Sequence, residues 1–243
     1  MARLGSSNVV FNKLKEQEFT SVKEKATYKG IGIKLLYFAL MTVIGAGLGI
    51  GLLYFNQGAL SVILAFSGIL TFVFALLGMS SNKACKITGP LYCLFEGCTI
   101  GVISLACSAV VEGAVTMALL STIAVFAVCA CLYVFNVVKV TSKFTRFLLM
   151  FAVGFILSQF IFLIISLFTG LEYSIGMITL VSLISVFLAT LYLFFDMENI
   201  KQVVEGGLPK EYEWTASFGL AFTLIWLYVE ILRLIIILFA RDN

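Results

Sequence analysis

Seven long apolar runs, separated by short polar segments, occupy most of this 243-residue chain. They are Ile31–Phe55, Leu60–Met79, Leu91–Val111, Gly113–Val138, Phe147–Phe168, Ile175–Asp196 and Ala216–Ala240. Each reaches or approaches the roughly 20 residues that a helix needs to cross a bilayer. In hydrocarbon a helix satisfies its own backbone, so helices are the expected form of every run. The pattern predicts an all-α integral membrane protein with seven transmembrane helices. Residues 1–30 are mostly polar and read as a cytoplasmic N-terminal arm, and residues 31–240 as the transmembrane domain. The first run is too long for the apolar region of a cleavable signal peptide, so the chain is expected to insert whole. Pro90 and Pro209 both stand just before predicted spans, where a missing N–H costs least.

The polar segments carry a regular charge record. Arg3, Lys13, Lys15, Lys23, Lys25 and Lys29 precede the first run. The second connection holds Lys83 and Lys86, the fourth Lys139, Lys143 and Arg146, and the sixth Lys201 and Lys210. The first, third and fifth connections hold no Lys or Arg. The positive-inside rule then places the N-terminus in the cytoplasm and the C-terminus outside, with Arg241 as an exception. Composition agrees with the pattern: 61% of residues are hydrophobic and 12% charged, against about 25% charged in soluble domains. The net charge of +3 is spread over span ends rather than gathered in a patch, so no nucleic-acid partner is expected.

Histidine is absent, which removes imidazole acid–base chemistry, His metal ligands and Ser-His triads. Five of the six cysteines lie within apolar runs and read as small packing residues. No Gly-x-Ser-x-Gly or paired-acid protease signature is present, so neither an enzyme nor a resident cofactor is expected. Proton or ion chemistry falls to the carboxylates. Glu230 stands inside the last run and Asp196 ends the sixth, and an ionisable group in hydrocarbon costs roughly 2.5–3.5 kcal/mol on insertion scales. An acid at a helix C-terminus would also oppose the macrodipole, so helix stability does not explain Asp196. Glu96 is predicted ~9 Å into the third helix, counted from Pro90, and could share the depth of Asp196. Arg233 lies three residues after Glu230, where an ion pair could mask both charges. Glu112 begins an outer turn and reads as solvated. The Gly45–Gly51 stretch has four glycines at alternate positions but no preceding strand or following lysine, so close helix packing is the better reading.

Several of these segments together resemble the Bax inhibitor family, also called the transmembrane Bax-inhibitor-motif proteins. They are Phe195-Asp196-Met-Glu-Asn-Ile200, Glu211-Tyr-Glu-Trp214 and Leu227-Tyr-Val-Glu230-Ile-Leu-Arg233-Leu. The start of the chain and Leu94-Phe-Glu-Gly97 are similar to a bacterial branch. The resemblance implies a bundle with the last helix at its centre and a pH-sensitive calcium leak. It also implies that an acid near the end of the sixth helix pairs with one in the seventh, their shared proton acting as sensor. Asp196 matches the first. Alignment on Leu-Tyr-x-acid places Glu230 at the second position, and alignment on the terminal Leu-Arg-Leu places Thr223 there. Asp196 lies near one membrane face and Glu230 ~21 Å along the last helix from Ala216, so depth favours Thr223.

The expected function is a pH-sensitive cation leak channel or exchanger of a bacterial inner membrane, with calcium as the ion. Asp196 would be the proton sensor beside Thr223 or Glu96, Glu230 a mid-path ion station and Arg233 its counterweight. Asp196 and Glu230 would make transient calcium contacts, carboxylates being hard ligands suited to that ion. The partners expected are the lipid bilayer, cations and protons. The competing expectation is a non-transporting regulator that binds a membrane protease or stress machinery through its cytoplasmic arm and its packing faces.

Overall fold

All seven apolar runs become helices in the structure, a computed structural model that describes residues 24–55, 58, 60–171 and 173–239. The helices are α1 Tyr28–Phe55, α2 Leu60–Ser80, α3 Asn82–Val110, α4 Ala114–Val134, α5 Ser142–Thr169, α6 Ile175–Glu205 and α7 Tyr212–Phe239. All are long and apolar enough to cross a membrane. The first 23 residues of the predicted arm, together with Ala240 and Arg241, lie outside the described residues.

Two expectations are corrected. α3 starts at Asn82, so Pro90 lies inside it rather than ahead of it. Only Ser81 separates α2 from α3, and Lys83 and Lys86 sit in the first turns of α3 rather than in a loop. Glu96 is therefore ~21 Å from the start of its helix. Likewise α6 continues nine residues past Asp196 to Glu205. Asp196 is thus in a helix interior, and the macrodipole gives no reason against it. The cause is common to both: helices of 29 and 31 residues are ~45 Å long, well beyond a hydrocarbon core of ~30 Å, so polar turns extend past it.

Helix ends follow local chemistry. Thr27 Oγ1 accepts from Gly30 N at 3.0 Å and so caps α1. Thr141 and Ser174 cap α5 and α6 in the same way. Gly170 ends α5 with φ +68°, a left-handed conformation natural to glycine.

α1 packs on α3, α3 on α2, and α6 on α7. α7 also packs against α1, α3 and α4, whereas α5 rests mainly on α6. The α1–α3 contact is built on glycines facing backbone. A Cβ on Gly45 or Gly49 would meet the carbonyl oxygen of Leu94 or Cys98, and one on Gly97 or Gly101 that of Thr42 or Ala46. Gly47 and Gly51 face open space, so only part of the stretch serves packing.

The segment before α1 is strapped to the α6–α7 turn. Ala26 N donates to Leu208 O at 2.8 Å and Lys210 N to Glu24 O at 2.7 Å, and Lys25 bridges Pro209 antiparallel. Lys210 pairs with the exposed Glu24. Hydrogen bonding and attraction from Lys210 hold the Glu24 carboxyl below its ordinary 4.5, and Glu24 raises Lys210 above its ordinary 10.5. A depressed carboxyl stabilises the strap above its unfolded value and loses that contribution as pH falls through the folded one. The raised lysine contributes below 10.5 and loses it as pH rises through the higher folded value. Amide exchange at Ala26 and Lys210, corrected for intrinsic rates, is therefore expected to quicken only in acid below pH 4.5 or in strong base. Added salt should quicken it slightly, because exposed pairs are screened.

Candidate functional site: an acidic seam between α6 and α7

Turning at about 100° per residue, α6 presents Ser182, Ser185, Ala189, Leu193 and Asp196 along one stripe. The last helix presents Gly219, Thr223, Leu227 and Glu230 along another. The two helices pack together, so these stripes form a seam. Its groups are out of solvent: Asp196 and Glu230 are each 7% exposed, and Thr223 is 3%.

At one end Thr223 Oγ1 donates to Asp196 Oδ2 at 2.6 Å. The same hydroxyl lies 3.2 Å from the carbonyl oxygen of Gly219, one turn earlier. A hydroxyl carries one proton, so it faces two competing acceptors. Gly219 also makes room for the acid, since a Cβ there would stand 3.3 Å from Asp196 Oδ1.

At the other end the Glu230 carboxylate accepts from Arg233 Nη1 at 3.1 and 3.3 Å. Ser182, Ser185 and Trp226 lie beside it, and Trp226 Nε1 donates to Ser185 Oγ at 3.0 Å. Arg233 is about half exposed, so its remaining donors reach away from the seam. Between the two ends the seam is apolar. Ala189, Leu193 and Leu227 are fully buried there.

The structure thus brings Asp196 to Thr223 and Glu230 to Arg233, and it holds the two acids apart. Thr223 and Glu230 are seven residues apart, ~10 Å along α7, with Leu227 between them. Glu96 does not join either group. It is half-buried on α3, beside the Thr71 hydroxyl of α2. Glu112 is exposed, as expected. Among the described residues no group of three or more His, Cys, Asp or Glu could hold a metal ion.

One buried ionic cluster escapes a reading by apolar runs. Lys34, inside the first run, pairs with Glu213, whose side chain is fully buried. Glu213 Oε1 also accepts from Thr27 N at 2.8 Å and from Thr27 Oγ1 at 3.2 Å. Lys34 lies over the Trp214 ring at 5.1 Å from its centroid. The available signal was a lone lysine in an apolar run, which requires a partner. That partner is 179 residues away in the chain.

No curated protein matches the sequence significantly. The family model described as Bax inhibitor 1 like does match, over residues 8–240, nearly the whole chain and all of the seam; the protein belongs to that family.

Proposed function

We propose that the protein is a pH-sensitive cation leak or exchanger, carrying calcium across a bacterial inner membrane along the α6–α7 seam. The observation that carries this is the seam's construction: two acidic stations, each with hydroxyl neighbours, separated by a dry layer of Ala189, Leu193 and Leu227. Carboxylate and hydroxyl oxygens suit calcium. One carboxylate per station falls far short of its six to eight oxygens, so the contacts are brief and completed by water and backbone. That is the behaviour of a path rather than a resident site. The N-terminus lies in the cytoplasm and the C-terminus outside, following the charge record of the connections.

Protonation acts through Thr223. Ionised Asp196 accepts its hydroxyl proton. Protonated Asp196 becomes a donor, and Thr223 turns its own proton to the Gly219 carbonyl already in reach. The charge-assisted bond between α6 and α7 is then replaced by a weaker neutral one, donated by Asp196 to Thr223. Leu193 and Leu227, next along the seam, are the contacts this loosening reaches first. Opening them would join the two stations.

Calcium flux into proteoliposomes, followed across a pH series, tests this. Asp196→Asn is expected to abolish the pH response, and Glu230→Gln to reduce flux at every pH. Unchanged flux and pH response in both would refute the mechanism. Leu227→Ala is expected to cost about 3 kcal/mol of stability and, by thinning the dry layer, to raise flux severalfold under conditions where the parent is closed. The competing regulator reading has its determinants in the packing faces and in the arm, residues 1–23 of which lie outside the described residues.

A further inference from the structure

α2 packs chiefly on α3, and that contact carries an acid the α6–α7 seam does not use. The two helices run antiparallel, so their facing side chains form successive rungs. Ser67 of α2 meets Thr99 of α3, their hydroxyls 2.8 Å apart. About one turn along, Thr71 lies beside the Glu96 carboxyl. Beyond that rung Phe74 stacks on Phe95, with ring centroids 5.7 Å apart. Ser67 is buried, and Thr71, Glu96 and Thr99 are half-buried. Glu96 is ~21 Å along a helix of ~45 Å, so what protein does not cover there faces hydrocarbon rather than water.

Glu96 has no counter-charge. It is the only acid between Glu24 and Glu112, and among the described residues no Lys or Arg pairs with it. α2 holds no charged residue. On α1, Thr42 faces Gly97, so Lys34 is ~12 Å back along that helix, and Glu213 holds it. On α7, Phe222 packs on Tyr92, and Arg233 stands ~16 Å beyond Phe222, held by Glu230. The titratable neighbours on α3, Tyr92 and Cys93, supply no positive charge. An acid at this depth requires a partner, and the protein provides none.

Thr71 indicates the kind of partner. Other hydroxyls of the α2–α3 contact bond the carbonyl one turn back: Ser67 Oγ to Ile63 O at 2.6 Å, Thr88 Oγ1 to Ala84 O at 3.0 Å and Thr99 Oγ1 to Phe95 O at 3.3 Å. Thr71 Oγ1 is fully buried and makes no hydrogen bond. It forgoes the usual carbonyl and stands beside Glu96 with its lone pairs free, an arrangement that is costly unless something accepts them. One proton on Glu96 would leave most of these oxygens unused. A divalent ion would leave a net positive charge in hydrocarbon and calls for roughly six to eight oxygens. A small monovalent cation cancels the single carboxylate and draws on the hydroxyls of both rungs.

We propose that Glu96, Thr71, Ser67 and Thr99 form a binding site for one small alkali cation, sodium, which exchanges with a proton on Glu96. The Phe74–Phe95 stack closes the site on one side. The site shares no residue with the α6–α7 seam and stands whether or not that seam conducts.

Dicyclohexylcarbodiimide tests this on the full chain in detergent, because it forms a stable adduct with a protonated carboxyl in apolar surroundings. An adduct within residues 25–111 can only be on Glu96, so peptide mass mapping locates it. The adduct is expected to form in choline chloride and at least tenfold more slowly in sodium chloride of equal ionic strength, while calcium chloride gives no such protection. Thr71→Val should keep the rate in choline but raise the sodium concentration for half-protection roughly tenfold, the size of one contact to a charged group. Equal rates in choline and sodium would overturn the proposal and leave Glu96 a plain protonated acid. Absence of any adduct in choline would overturn it too, since the carboxyl would then never take the proton that sodium displaces.

Discussion

Gly97→Leu is expected to prevent α1 from seating on α3 and to leave little monodisperse protein in detergent. A Cβ at Gly97 would fall on the Thr42 carbonyl oxygen, and at Gly101 one would stand 2.5 Å from that of Ala46. The obstruction is backbone in a packed helix, not the end of a flexible side chain. The cost should therefore exceed the ~1–3 kcal/mol typical of an overpacked core. Glycines four apart on both helices, Gly45 with Gly49 and Gly97 with Gly101, are what allow this approach, as small residues do at many membrane helix contacts. Gly47→Leu is the control, because nothing lies within 4 Å of its Cβ position. Thermal melting of the two variants side by side decides the matter. Equal midpoints would mean the α1–α3 contact is not as described.

Glu213→Ala is the second large effect. It leaves Lys34, only 13% exposed at its side chain, without its counter-charge, and it removes the acceptor for Thr27 N and Oγ1. Breaking one side of a buried pair costs roughly 3–5 kcal/mol. The lower end, about 3 kcal/mol, is expected here because Lys34 keeps some solvent contact and can turn outward. That is about a hundredfold in the folded-to-unfolded ratio. Glu213→Gln with Lys34→Met should recover part of the loss, since the uncompensated charge is gone. The change can be followed by Trp214 fluorescence on heating, as the ring lies beside Lys34. Parental stability in Glu213→Ala would remove the cluster's structural role.

The seam and the ionic cluster differ in how far they could be read from residues. Asp196 and Glu230 stand out as acids in apolar runs. Thr223 is an ordinary helix residue. The family resemblance brought it in and depth favoured it over Glu230, but only the rotation of α7 aims its hydroxyl at Asp196 Oδ2. Glu230 shows the opposite case. Its nearest charge, Arg233, is legible as an i,i+3 neighbour, while the serines beside it come from α6. Lys34 passed as part of an apolar run, since one charge in 25 residues hardly changes a hydropathy window.

Helix faces were the least legible feature. In a soluble helix the apolar stripe marks the core. Here the surroundings are as apolar as the core, so Leu36, facing outward, and Leu227, fully buried, are the same residue type.

What the residues by themselves determined was the number and order of the long apolar helices among the described residues, their membrane character, the alternation of charge between connections and the family. These follow from local sums, because hydropathy over about 20 residues outweighs any single side chain. The tertiary structure alone decided which polar groups meet, Asp196 with Thr223 and Glu213 with Lys34, and that buried apolar residues lie between the two acids of the seam. Such pairings depend on the rotation and relative depth of helices, set by glycine contacts and by the strap joining residues 24–26 to 208–210. No local sum carries that information.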